Sequence, residues 1–124
     1  MKTVYWKVDP VEPEADIIIK AAAQLKNLEL VAFPTETVYG LGALASSSQA
    51  VAKIFAAKAR PARNPLLVHV SRIDQVKKLV TEVPETARLL MDKFWPGPLS
   101  IILPAREEVP AIIRGGKSSV EIGR

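Results

Sequence analysis

Hydrophobic and polar residues alternate in some stretches of this chain and recur with helical spacing in others. Thr3–Val8 and Leu28–Phe33 are rich in β-forming residues, which predicts two strands, the second ending before Pro34. Between them, the stretch EADIIIKAAAQLKN follows Pro10 and Pro13 and consists largely of good helix formers. This stretch predicts a helix that is apolar over much of its circumference.

The middle of the chain predicts a capped helix followed by a strand. The serines of Ser46–Ser48 can cap a helix that continues to about Lys58. The apolar residues of this helix that share one face are Val51, Ile54 and Phe55. The run PLLVHV then predicts a strand.

The second half of the chain predicts two more helices and two more strands. Ser71 and Asp74 form a capping-box pattern, which predicts a short helix through Val80. Thr81 and Pro84 begin another helix, which the WPGP stretch ends. The residues predicted to form the inner stripe of that helix are Ala87, Leu90, Met91 and Phe94. The stretches LSIILP and SSVEI predict the remaining strands.

Strands that are separated by helices are typical of an α/β or α+β domain with a mixed sheet. The chain has 124 residues, of which 48% are hydrophobic and 24% are charged, enough for one modest hydrophobic core. No internal repeat, linker or low-complexity tract interrupts it. Residues 1–124 are therefore expected to form a single domain or part of one.

Composition excludes several classes of site. The chain has no cysteine, which excludes disulfides, thiolate metal sites and a cysteine nucleophile. Its one histidine, His69, gives no support for a histidine metal site or for a Ser-His-Asp triad. The stretch MKTVYWKVDP lacks the apolar segment of a signal peptide, and no run approaches the roughly 18 apolar residues of a membrane span.

Positive charge is concentrated in one quarter of the chain. The formal net charge is +4, yet residues 1–52 carry more acids than bases and residues 79–124 are balanced. In residues 53–78, Asp74 alone opposes the basic residues Lys53, Lys58, Arg60, Arg63, Arg72, Lys77 and Lys78. Such a cluster is consistent with a solvated face, and also with a site that receives phosphates or other anions.

Two loops carry the candidate chemistry. The stretch FPTETVYGLG follows a predicted strand and places the hydroxyls of Thr35, Thr37 and Tyr39 close together, although an ordinary strand-to-strand turn would also explain it. The stretch KARPARN begins at a predicted helix C-terminus, where Lys58 complements the helix dipole. That role does not explain Arg60 or Asn64, so this loop is predicted to face an anion such as a polyphosphate or a carboxylate.

Two single residues have structural interpretations of their own. His69 is predicted to share a strand face with Leu67, opposite Leu66, Val68 and Val70, where a histidine is commonly a hydrogen-bonded core or rim residue. Trp95 is predicted to be a packing residue rather than a stacking platform.

Three stretches, FPTETVYGLG, KIFAAKARPARNPLLVHV and FWPGPLSIIL, resemble in order and spacing the YrdC-like domain of the threonylcarbamoyl-AMP synthase family. The resemblance covers about Ile17 to Leu103. It implies a twisted, mostly open mixed sheet with flanking helices around a positively charged cavity. The implied activity is that of a nucleotidyltransferase, which joins L-threonine, bicarbonate and ATP, with Mg²⁺ bound to the ATP, to give threonylcarbamoyl-AMP and pyrophosphate.

The resemblance also assigns roles to residues. Lys58 and Arg60 match the family's K-x-R pair, which is implied to be catalytic and to contact the ATP phosphates. The other implied ATP contacts are Asn64 and Ser119. The implied threonine contacts are Thr35, Thr37, Tyr39, His69 and Arg124. No protein-bound metal is implied.

This chain also departs from the family pattern in two respects. No S-x-N stretch, the family's second signature, occurs here, and SSVEIGR is one residue longer than the family's T-V-x-V-R pattern. We therefore expect the chain to be the N-terminal two thirds of a YrdC-like domain, shortened at its C-terminus. We also expect this chain alone not to release pyrophosphate from ATP.

The implied partners are the small substrates, tRNA or double-stranded RNA, and the downstream threonylcarbamoyl transferase machinery that modifies adenosine 37 of tRNA. A cytoplasmic location without a membrane is implied as well. Two alternatives remain open. One is an RNA-binding module without catalysis, whose affinity would fall steeply with salt. The other is a related carbamoyl-transfer domain, of the kind found in hydrogenase-maturation proteins.

Overall fold

The computed structural model describes residues 2–59, 61 and 64–124. Among these residues, helices are found at α1 (Ala15–Lys26), α2 (Ser48–Lys58), α3 (Glu85–Phe94) and α4 (Ala111–Arg114), with a 3-10 helix at Ile73–Lys78. Strands are found at β1 (Val31–Phe33), β2 (Gly40–Gly42), β3 (Leu67–His69), β4 (Ser100–Pro104) and β5 (Ser119–Gly123). This mixed α/β composition confirms the predicted fold class.

Strands β1 and β2 form an antiparallel hairpin in which the Phe33 ring lies against two glycines. Phe33 pairs with Gly40, and Val31 pairs with Gly42. A Cβ atom at either glycine would stand 2.9 Å from a carbon of the Phe33 ring. The two glycines of FPTETVYGLG therefore give the ring the space in which it packs.

Strands β3, β5 and β4 form a mixed sheet with β5 in the centre. β5 is parallel to β3 and antiparallel to β4. Val68, Ile122 and Leu103 are buried on one face of this sheet, whereas Leu67, His69 and Ile102 are exposed on the other. The alternation of Leu67, Val68 and His69 confirms the predicted strand faces.

The hydrophobic core lies between the buried face of this sheet and the helices. α2 contributes Val51 and Phe55, and α3 contributes Ala87 and Met91. Trp95 is 6% exposed, and its indole N–H donates a hydrogen bond to the Leu99 carbonyl at 2.7 Å. The buried ring is thus paired at its polar atom, and the predicted packing role of Trp95 is confirmed.

The predicted strand at Thr3–Val8 is wrong. Residues 2–9 have no regular secondary structure, and the Tyr5 side chain is 90% exposed. A strand pattern is stabilised by pairing and burial, and no strand pairs with this stretch in the described part of the chain. The predicted strand at Leu28–Phe33 is present but shorter, because only Val31–Phe33 lies opposite β2.

Two local predictions also need correction. The inner stripe of α3 is narrower than predicted, because Ala87 and Met91 are buried whereas Leu90 and Phe94 are 38% and 49% exposed. At the 3-10 helix, the side chain that caps the N-terminus is that of Gln75 rather than that of Asp74. The Gln75 side-chain oxygen accepts a hydrogen bond from the Ser71 N–H at 2.7 Å. The N-cap of this helix is Arg72, so Gln75 is its third residue, and the same oxygen also accepts from the Arg72 N–H at 3.2 Å.

The other predicted helices are confirmed. α1 begins after the two prolines, and none of its residues is buried. α2 is capped by Ser47, whose hydroxyl accepts from the Ala50 N–H at 3.1 Å. Across residues 2–59, 61 and 64–124, no helix combines the length and the apolarity that a membrane crossing requires.

Candidate functional site

A cavity of about 770 Å³ lies between the β1–β2 hairpin and β3. The hairpin contributes Thr35 and residues 40–42, and β3 contributes Leu67, Val68 and His69. Val51 and Ile54 of α2 add apolar surface. A largely apolar cavity with a few convergent polar groups is typical of a small-ligand site.

The hairpin loop holds the first predicted threonine contact at this cavity. The Thr35 hydroxyl donates to the Val38 carbonyl and accepts from the Thr37 N–H at 3.3 Å. The Thr35 and Thr37 side-chain oxygens are 3.4 Å apart. Because a hydroxyl has one donor and two acceptor sites, the Thr35 oxygen retains one acceptor site at most for an N–H or O–H group of a ligand.

Thr37 and Tyr39 lie in the same loop but not in the cavity wall. Both side chains are exposed, Tyr39 to 78%. The local hydrogen bonds of Thr35 show that the loop is also a stabilised strand-to-strand turn. The two interpretations of FPTETVYGLG are therefore compatible.

His69 lies at the C-terminal end of β3 and lines the cavity. Its side chain is exposed, and no side-chain hydrogen bond to it occurs among the residues that the structure describes. The imidazole can therefore bind a ligand without first giving up a partner.

The basic loop begins where α2 ends. Lys58 lies in the last turn of α2, and its side chain is exposed. The C-cap residue Ala59 has a positive φ of 50°, which turns the chain away from the helix axis. Asn64 is exposed, and its N–H donates to the Pro61 carbonyl at 3.1 Å. The prediction for Arg60 falls outside the described residues.

Ser119 and Arg124 lie at opposite ends of β5. Ser119 is opposite Pro104, whereas Gly123, next to Arg124, is opposite His69. At about 3.3 Å per residue, the ends of this strand are roughly 13 Å apart. The structure therefore places the Arg124 backbone next to the residue that pairs with His69 and leaves Ser119 at the far end of the strand. Neither Arg124 nor Ser119 lines the cavity.

Two members of the basic cluster already have structural partners. The Lys53 amine donates to the Leu28 carbonyl at 2.8 Å and lies 3.5 Å from a Glu29 carboxylate oxygen. Arg72 forms a hydrogen bond to Asp74 at 3.0 Å, which lowers the pKa of that carboxyl. Within the part of the chain that is described, Lys58, Lys77 and Lys78 form no ion pair.

The cavity also contains polar residues to which the sequence assigned no specific ligand contact. Ser46 lies near the start of α2, while Gln75 and Lys78 belong to the 3-10 helix and Glu108 to the segment before α4. These residues come from segments far apart along the chain. Their proximity results from tertiary packing, and no local motif marks it.

Over residues 2–59, 61 and 64–124, no three His, Cys, Asp or Glu side chains are placed to hold a metal ion.

These features define a class of protein: an α/β domain with a small-ligand cavity between a threonine-bearing hairpin and a strand that ends in histidine. The sequence profile of the Sua5/YciO/YrdC family, described as "Telomere recombination", matches residues 23–122. The chain belongs to this family.

Individual relatives agree with this assignment. The chain is 51% identical over 102 residues to the threonylcarbamoyl-AMP synthase of Pyrococcus abyssi, covering 82% of this chain and 30% of that protein. It is 50% identical over 111 residues to the synthase of Bacillus subtilis, covering 87% of this chain and 32% of that protein. The chain thus spans about a third of the length of these curated relatives.

Solved structures show the same fold. The crystal structure of P. abyssi Sua5 complexed with L-threonine superposes with a TM-score of 0.87 at 48% identity, covering 90% of this chain and 33% of that one. Escherichia coli YciO superposes with a TM-score of 0.76 at 19% identity, covering 90% of this chain and 54% of that one. The second likeness supports the fold alone.

Proposed function

We propose that this chain carries the threonine-binding region and the anion-binding loop of an L-threonylcarbamoyladenylate synthase. The observation that carries the proposal is the likeness to Sua5 in its complex with L-threonine, at 48% identity over 90% of this chain. The position of Thr35 and His69 in the wall of one cavity is consistent with it.

The proposed reaction has two steps. The threonine amine joins the carbon of bicarbonate and water is released, which gives a carbamate. A carbamate oxygen then attacks the α-phosphorus of ATP, and pyrophosphate leaves with the electron pair of the broken P–O bond. Neither step requires a covalent enzyme intermediate, and the chain has no cysteine nucleophile.

The protein's task in this reaction is to position substrates and to stabilise negative charge. Carbamate and triphosphate bring several negative charges together, so fixed cations lower the barrier. Lys58, which has no acidic partner in the described part of the chain, supplies one such cation. Arg60 supplies a second, and Asn64 and Ser119 contact the nucleotide.

At the threonine end, we assign the cavity wall to Thr35 and His69, with Thr37 and Tyr39 on the adjoining loop. Arg124 binds the amino-acid carboxylate. Mg²⁺ enters with ATP as part of the substrate. The product passes to the threonylcarbamoyl transferase machinery that modifies tRNA in the cytoplasm.

Calorimetric titration of the chain with amino acids tests this proposal. We expect L-threonine to bind weakly and saturably, and L-valine, which has the same shape without the hydroxyl, to bind about tenfold more weakly. That ratio corresponds to roughly one hydrogen bond, about 1.4 kcal/mol. D-Threonine is the stereochemical control. Equal affinities for L-threonine and L-valine, or the absence of any binding, would contradict the proposal.

A further inference from the structure

The turn between α3 and β4 is bonded to the end of β5. The Gly97 N–H donates a hydrogen bond to the Arg124 main-chain oxygen at 3.1 Å. The turn itself is anchored by Trp95, which is buried in the core and donates to the Leu99 carbonyl at 2.7 Å. A turn that is anchored in the core therefore holds the backbone of the exposed residue Arg124.

Gly97 has no space for a side chain. A Cβ atom at this position would stand 2.6 Å from the Phe94 carbonyl oxygen. The obstructing atom belongs to the main chain at the end of α3, which cannot move aside as a flexible side chain could. A larger residue at position 97 must therefore displace the turn. The contact between Gly97 and Arg124 thus depends on glycine at position 97.

The chain on the other side of Arg124 is held as well. The Gly123 carbonyl accepts from the Val70 N–H at 3.0 Å, and Gly123 lies opposite His69. Residues 123 and 124 are therefore fixed by β3 from one side and by the turn from the other. The bond from Gly97 adds a constraint on the Arg124 backbone beyond the strand pairing of Gly123.

From this arrangement we infer that the turn formed by residues 95–99 is a positioning element, which fixes the Arg124 backbone next to the Gly123–His69 pair so that its guanidinium can bind a ligand carboxylate. The inference rests on the role proposed above for Arg124. A guanidinium binds a carboxylate through two parallel N–H groups, so its affinity depends on how well its backbone is placed. Gly97 is the positioning residue, and it acts through Arg124 without contacting the ligand.

The first test needs no ligand. ¹⁵N relaxation of the chain should give an order parameter for the Arg124 amide that is close to that of a rigid backbone, about 0.85, and Gly97→Ala should lower it below about 0.6. Pro98→Ala is the matched control, because it changes the same turn but adds no Cβ atom at position 97. An unchanged Arg124 order parameter in Gly97→Ala would overturn the inference.

The second test is a double-mutant cycle on L-threonine binding. Gly97→Ala should weaken binding about fivefold in the parent chain, and less than twofold once Arg124→Ala is present. A general structural defect would weaken binding equally in both backgrounds, which would overturn the inference. If the parent chain binds no L-threonine, the proposed function fails, and the order parameter alone decides whether the turn positions Arg124.

Discussion

His69 and Gly123 face each other in the parallel pair of β3 and β5, and the Val70 N–H closes the pair by donating to the Gly123 carbonyl at 3.0 Å. This pairing brings the neighbourhood of Arg124 to the strand end that carries His69. His69 and Arg124, which the family resemblance assigned to the same ligand, therefore lie at the same end of the β3–β5 strand pair.

Lys58→Ala should weaken the binding of ATP-magnesium and cost the fold no more than the interaction of the lysine with the helix dipole, about 0.3–1 kcal/mol. Lys58 is exposed, and a lost charge-assisted hydrogen bond costs about 1.5–3 kcal/mol, or roughly ten- to a hundredfold in affinity. Titration calorimetry measures the affinity, and thermal unfolding measures the stability.

Lys53→Ala is the matched control on the same helix. Its amine bonds to the Leu28 carbonyl at 2.8 Å, so its removal should destabilise the fold by about 1 kcal/mol and leave ATP binding unchanged. If the two variants behaved alike in both measurements, Lys58 would have no special role in anion binding.

His69→Ala should weaken L-threonine binding about tenfold while the fold stays intact. The side chain lines the cavity, is exposed and has no hydrogen-bond partner in the described region, so its loss leaves no buried group unsatisfied. Leu89→Ala, at an exposed position of α3, is the control. Unchanged threonine affinity in His69→Ala would remove this residue from the site.

Gly42→Ala should destabilise the hairpin by about 1–3 kcal/mol, because the new methyl group meets the Phe33 ring at 2.9 Å. Adding Phe33→Leu should restore part of the loss, since the smaller side chain leaves room for the methyl group. Urea unfolding of the two single variants and of the double variant measures the coupling. Strict additivity would show that the ring and the glycine do not constrain each other.

Asp74 should contribute a small, pH-dependent increment of stability. The hydrogen bond from Arg72 lowers the pKa of the folded-state carboxyl below its unfolded value. The contribution is therefore present above about pH 4 and is lost as the pH falls through the lowered pKa. Asp74→Asn should remove this dependence, and because the pair is exposed, salt should weaken it. Identical pH profiles of stability in parent and variant would contradict the assignment.

Local patterns were sufficient to predict α1, α2, β4 and β5, because each has a cap, a proline or a clear periodicity at its boundaries. The same reasoning failed at Thr3–Val8, where a good strand pattern has no partner strand among the described residues. Pairing depends on distant parts of the chain, and propensity alone does not determine it.

The sequence could predict only those residues of the candidate site that belong to recognisable motifs. The resemblance indicated Thr35 and His69, and both line the cavity. Lys78 and Glu108 line the same cavity, yet no spacing rule connects a 3-10 helix with the segment before α4. The hydrogen bond between Gly97 and Arg124 could not be predicted from the sequence either, because it joins main-chain atoms of two segments that are distant along the chain.

We propose that L-threonine binds in the cavity between the hairpin and β3. Intermolecular nuclear Overhauser effects between ¹³C-labelled L-threonine and the chain test it most directly. We expect contacts from the threonine methyl group to Thr35 and His69, which should be lost on competition with unlabelled L-threonine. Saturable binding whose contacts lie elsewhere on the surface, with none to Thr35 or His69, would contradict it.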